Sequence, residues 1–188
     1  MTTSPVIGVP RLRADRSLLL LVDQQTRLMP AIADAERVLR NGRRLGQLAR
    51  ALGMPCVGTE QSADKIGPLV DELRECCASV LAKTHFDACA DGLLEHLAHV
   101  APQRTQLVVA GCEAHVCLLQ TVLGLRERGA EVWVVGDACG SRDPANHEAA
   151  MRRIERAGAT IVTTEMVGFE WIGHAGHPQF RMLQALVR

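Results

Sequence analysis

The stretch Ser17-Leu18-Leu19-Leu20-Leu21-Val22-Asp23-Gln24-Gln25 decides how the rest of the chain is read. Five consecutive apolar residues without polar alternation describe a strand buried on both faces, the environment of a parallel sheet covered by helices on each side. The run, Ser17–Asp23, stops abruptly at an acid. Five more short apolar runs follow, at Pro55–Thr59, Ser79–Lys83, Thr105–Gly111, Glu131–Asp137 and Thr160–Thr164. Between them, at Asp34–Leu52, Gly67–Cys76, Asp91–Val100, Cys117–Arg128 and Pro144–Ala157, apolar residues recur three or four apart, as in Leu93, Leu94, Leu97 and Val100. Gly53, Gly129 and Gly158 stand where helices would end, and Asp143-Pro144 where one would begin.

This alternation predicts an α/β fold: one doubly wound, three-layer (α-β-α), Rossmann-like domain over 1–188 with a six-stranded parallel sheet. Residues 1–15 are expected as an N-terminal tail. Residues 168–188, with Phe169, Trp171, Phe180 and Leu183, are expected to pack as a final helix or to dock on a neighbouring subunit.

Composition narrows the function. Of 188 residues, 47% are hydrophobic and 22% charged, enough apolar matter for a substantial core. Twenty-one basic side chains balance 21 acidic ones, and aromatics are 3%, so neither a basic face nor a base-stacking surface argues for nucleic acid. Leu18–Val22, the longest greasy segment, is far too short to cross a bilayer, and residues 1–16 lack the apolar run of a secretory signal. Seven cysteines, an odd number, fit free thiols in a reducing, cytoplasmic compartment. The partner expected on these grounds is a small-molecule substrate, with no nucleic acid and no membrane.

In open parallel sheets, ligands bind beyond the carboxyl ends of the strands. There the first strand presents Asp23-Gln24-Gln25, the third Lys83-Thr84-His85-Phe86, the fourth Gly111-Cys112-Glu113-Ala114-His115-Val116-Cys117, and the fifth Asp137-Ala138-Cys139. Cys117 falls where a strand turns into a helix, a position whose free amides and dipole favour a thiolate; buried, inert cysteine is the plainer alternative. Asp23 can take a thiol proton and later activate water, or simply cap a turn. Lys83 can lower the thiol pKa and keep Asp23 ionised, or lie at the surface.

At these places the chain resembles the isochorismatase-like cysteine hydrolases, in particular the short isochorismatase domain-containing proteins. The likeness is carried by Leu20-Leu21-Val22-Asp23-Gln24-Gln25, by Lys83-Thr84-His85-Phe86, and by Gly111 to Thr121. Val134-Val135-Gly136-Asp137-Ala138-Cys139-Gly140-Ser141-Arg142 and His177-Pro178-Gln179-Phe180 extend it along nearly the whole chain. The resemblance implies an Asp–Lys–Cys triad on Asp23, Lys83 and Cys117, and a cis peptide at Cys112–Glu113. It further implies an oxyanion hole from the amides of Glu113 and Cys117, and a homo-oligomer, dimer or larger, whose partners help close the pocket. Its amidase branch works through a thioester; the vinyl-ether hydrolysis behind the family name needs no thiol adduct, so the triad alone does not fix the reaction.

Gln25, Phe86 and His115 are candidates to line the substrate pocket, with core packing equally open to Phe86 and a loop hydrogen bond open to His115. Nicotinamidases of this superfamily bind a metal through an Asp and two His after the second strand. Here that stretch reads Thr59-Glu60-Gln61-Ser62-Ala63-Asp64-Lys65, without histidine, so no metal and no cofactor is implied, and Glu60 and Gln61 fall to a pocket or interface. The pairs His174/His177 and His85/Cys89 lack the further ligands zinc requires. Cys76-Cys77 reads as helix surface or core, and Arg142 and His147 as structural. The function expected is hydrolysis of a small amide, imide or carbamoyl-type substrate. The alternatives are a non-catalytic scaffold that keeps the fold, or redox sensing through Cys117 with Cys112 or Cys139.

Overall fold

The computed structural model describes residues 11–187. Six strands, β1 (Ser17–Val22), β2 (Cys56–Gln61), β3 (Ser79–Lys83), β4 (Gln106–Cys112), β5 (Glu131–Gly140) and β6 (Thr160–Val162), form one parallel sheet in the order β3-β2-β1-β4-β5-β6. The helical segments among the described residues are α1 (Ala35–Ala51), α2 (Ala63–Ile66), α3 (Asp71–Arg74), α4 (Leu93–Val100), α5 (Leu119–Glu127), α6 (Pro144–Arg156), α7 (Thr164–Ile172) and α8 (Phe180–Val187).

The unbroken apolar run of β1 divides by parity. Leu18, Leu20 and Val22 join Val109 and residues of α4, α5 and α6 such as Leu97, Leu125 and Ile154 on one face. Leu19 and Leu21 join Val108 and residues of α1, α7 and α8 such as Leu48, Trp171 and Leu183 on the other. At about 2 kcal/mol per fully buried aliphatic side chain, this strand alone contributes on the order of 10 kcal/mol of burial, which accounts for its central place. Gly111 lets β4 lie against it: φ is 144°, and a Cβ there would come within 2.1 Å of the Val22 carbonyl oxygen.

Four departures from the expected elements have local causes. Of the expected helix Gly67–Cys76 only a single turn, α3, forms, and the separate turn α2 ends before Gly67. Gly67 adopts φ 80°, Pro68 offers no N–H, and Leu69 bridges Gln25 while the Val70 amide donates to the Gln24 carbonyl at 3.0 Å. β5 runs on to Gly140 because extra residues bulge between its pairings Val109↔Val134 and Gly111↔Cys139. β6 stops at Val162, since the Thr163 side chain caps α7 by accepting from the Met166 amide at 3.2 Å. Of the expected tail 1–15, residues 11–15 are docked: Leu12 is buried, and its amide donates to Glu170 Oε2 at 2.7 Å. Positions 1–10 lie outside the described residues.

The segment expected over 168–188 packs on its own chain, with Leu183 against Gly168, as far as the described residues extend. No helix among them is long and apolar enough to cross a membrane.

Candidate active site

From β1 the sheet continues to β2 and β3, and from β4 to β5 and β6, so the crevice between the carboxyl ends of β1 and β4 is the switch point where such sheets bind ligands. Asp23 leaves β1 in the left-handed region, φ 50°, a conformation Asp tolerates better than most residues. Both its oxygens are engaged. Thr59 Oγ1 on β2 donates to Oδ1 at 2.6 Å, and Lys83 Nζ, at the end of β3, lies 2.7 Å from Oδ2. The Asp23 and Lys83 side chains are completely shielded from solvent. The ammonium donates to Gln61 Oε1 at 2.7 Å and to the His85 carbonyl at 3.3 Å, while its contact with Asp23 Oδ2 is a close ion pair outside hydrogen-bond geometry.

Cys117 enters from the other side, on a wide turn of helix that precedes α5. In that turn the Glu113 carbonyl accepts from the Val116 amide at 3.0 Å and the Leu118 amide at 3.2 Å. Its sulfur lies 4.0 Å from Gln61 Oε1, and the residue is only 7% exposed. Burial, and then the Asp23 carboxylate, push the Cys117 thiol up to about 12, against the opposing pull of Lys83. The expectation of a standing thiolate is therefore corrected. Asp23 and Lys83 neutralise one another, and desolvation decides. At neutral pH the sulfur keeps its proton beside a carboxylate able to take it.

The Cys112–Glu113 peptide is cis, and the Glu113 amide has no hydrogen-bond acceptor among the described residues. The Cys117 amide lies in the first turn of a helix, where N–H groups have no intrahelical partner. The Glu113 carboxylate points elsewhere, accepting from Arg142 N at 2.9 Å and Arg142 Nε at 3.1 Å. His115 Nδ1 meets Ser141 Oγ at 2.9 Å. Two ties thus fasten the β4–α5 turn to the end of β5.

The three expected lining residues fare differently. Gln25 is completely buried and its amide is used internally: Nε2 donates to the Gln61 carbonyl at 3.0 Å, and Oε1 accepts from the Gln61 amide at 2.9 Å. It holds the end of β2 and offers a ligand nothing, which corrects its place among pocket residues. Phe86 is 50% exposed. His115 is spent on Ser141. Cys112 packs with Met29, Ile32 and Val38, in a different cluster from Cys117, so the geometry does not bring that sulfur pair together.

Thr59 was not singled out from sequence, and Gln61 only as a residue for a pocket or interface. The available signal was polar residues closing an otherwise apolar β2; what was lacking was the knowledge that β2 lies between β1 and β3. Among the described residues no group of three His, Cys, Asp or Glu side chains is arranged to hold a metal ion.

A family model described as Isochorismatase domain matches residues 17–166. Human isochorismatase domain-containing protein 2 is 34% identical over 184 residues, covering 98% of this chain and 88% of the relative. The structure of MAR1 ribonuclease from Caenorhabditis elegans superposes with a TM-score of 0.87 at 32% identity, covering 95% of this chain and 92% of that one. The Escherichia coli YcaC gene product, described as an octameric hydrolase of unknown specificity, gives a TM-score of 0.81 at 28% identity, with 97% of each chain covered.

Proposed function

The chain belongs to the isochorismatase family, and from that premise we propose that it is a cysteine-dependent hydrolase of a small amide, imide or carbamoyl-type substrate. The observation that carries the reading is the sealed Asp23–Lys83 pair, 2.7 Å apart, with the Cys117 thiol reaching the same hollow through Gln61.

In this mechanism Asp23 accepts the Cys117 proton as the sulfur attacks the substrate carbonyl. The proton transfer accompanies the attack and does not precede it, since the free thiol holds its proton. The amides of Glu113 and Cys117 donate to the oxyanion, and Lys83 stabilises the changing charge on Asp23. The nitrogen leaving group departs with the proton that Asp23 returns to it. Asp23 then deprotonates a water, which cleaves the thioester and restores the thiol. Gln61 keeps the Lys83 ammonium in register through the cycle.

By analogy with the octameric description of YcaC, the active form is a homo-oligomer, and the exposed Phe86 beside Lys83 is well placed to be covered in it. The ribonuclease name of the C. elegans neighbour makes RNA a necessary control substrate, although balanced charge gives this chain no evident phosphate-binding face.

The decisive experiment screens amides, imides, carbamoyl compounds, vinyl ethers and single-stranded RNA against wild type and Cys117→Ser. Hydrolysis of a C–N bond that disappears in the variant, with an acyl adduct on Cys117 by mass spectrometry, is the expected result. Turnover that survives the substitution defeats the covalent mechanism. Binding without turnover in wild type favours a scaffold that has kept the fold.

A further inference from the structure

At the opposite end of the sheet from Asp23, Lys83 and Cys117, two other cysteines face one another. Cys56 opens β2, and Cys77 lies two residues before β3 begins. Their sulfurs are 3.8 Å apart, and the Ala78 amide donates to the Cys56 carbonyl at 2.8 Å, which fixes the two backbones side by side. A disulfide needs a sulfur separation of about 2.05 Å, an approach that small side-chain rotations supply once the main chains are this close. All seven cysteines are free thiols in the structure.

We propose that Cys56 and Cys77 are an oxidisable dithiol that closes to an intrachain disulfide when the protein meets a hydroperoxide. The roles divide by exposure. Cys77 is half-buried and meets the oxidant; Cys56, 2% exposed, stands behind it to resolve the product. The Cys77 sulfur attacks one peroxide oxygen, the O–O bond breaks, and the departing hydroxide takes the thiol proton to leave as water. The Cys56 sulfur then attacks the Cys77 sulfenic sulfur, expelling the second hydroxide, which leaves as water with the Cys56 proton. Two thiols are oxidised by two electrons, and one peroxide is reduced to two waters.

The electrostatics run the same way. The sulfur–sulfur contact with Cys56 and, against the opposing effect of burial, the Arg74 guanidinium bring the Cys77 thiol below its ordinary range, while Cys56 is pushed up. Both neighbours donate one turn back, Cys76 to the Glu72 carbonyl at 3.4 Å and Cys77 to the Leu73 carbonyl at 3.3 Å, but the Cys76 sulfur lies against Gly46 of α1 and so is not the partner. Cys117, raised to about 12, has far less thiolate to offer at neutral pH.

The proposal is independent of the hydrolase reading and is tested without any substrate. The purified full chain is treated at pH 7 with a small excess of hydrogen peroxide, alkylated and digested. The expected result is one linked peptide pair joining Cys56 to Cys77, titratable thiols falling from seven to five, and reversal by dithiothreitol. In Cys56→Ser the resolving sulfur is gone, and a dimedone adduct is expected on Cys77. A Cys76–Cys77 link, sulfonate formation with no 56–77 link, or dimedone capture at Cys117 ahead of Cys77 would each overturn it.

Discussion

A carboxylate and an ammonium held 2.7 Å apart with no exposure have both lost their water, and each is tolerable only because the other is present. Asp23→Asn should therefore cost stability as well as chemistry. We expect about 3–5 kcal/mol lost on unfolding, since Lys83 is left as a buried, unmatched charge. The double variant Asp23→Asn, Lys83→Met should recover most of that loss by denaturant titration while remaining inactive; no recovery would mean that the pair contributes little. The thiol gives a second expectation, with the sign set by its raised pKa. Iodoacetamide labelling of Cys117 should climb roughly tenfold per pH unit from 7 to 10 without levelling, because ionisation is complete only above about 12. A plateau near pH 8 would contradict the burial argument. Asp23, Lys83 and Cys117 were legible in the sequence because each ends, or shortly follows, an apolar run. Thr59 and Gln61 were not, since their roles depend on which strand lies between which. Nor was the protonated thiol, because desolvation is a property of the packed site and not of residue type.

Among the elements, the strands were legible to within a few residues, since an uninterrupted apolar run means the same thing wherever it occurs. The stretch 67–76 was not, because Gly67, Pro68 and the hydrogen bonds to Gln24 and Gln25 outweigh its helical spacing. The close contact of β1 and β4 is open to direct test. Gly111→Ala places a methyl 2.1 Å from the Val22 carbonyl oxygen in a backbone conformation alanine rarely adopts. It should lower stability by more than about 3 kcal/mol, a fall in the melting midpoint of roughly 10 °C. Thermal denaturation within about 2 °C of wild type would mean that the two strands can separate cheaply.

For the molecule as a whole, light scattering after gel filtration should give a mass that is a multiple of 20.4 kDa, and Phe86→Asp should shift it downward. A lone 20.4 kDa species would leave the active site to be completed within one chain. The sheet order β3-β2-β1-β4-β5-β6 also bears on how the protein is born. Of the six strands β1 is made first and becomes a central one, and one of its edges stays bare until residues 106–112 have been made. At translation speeds of about 5–20 residues per second, the greasiest ribbon in the chain waits roughly 5–20 seconds for its second neighbour. During that wait it is the segment a nascent-chain chaperone would be expected to hold.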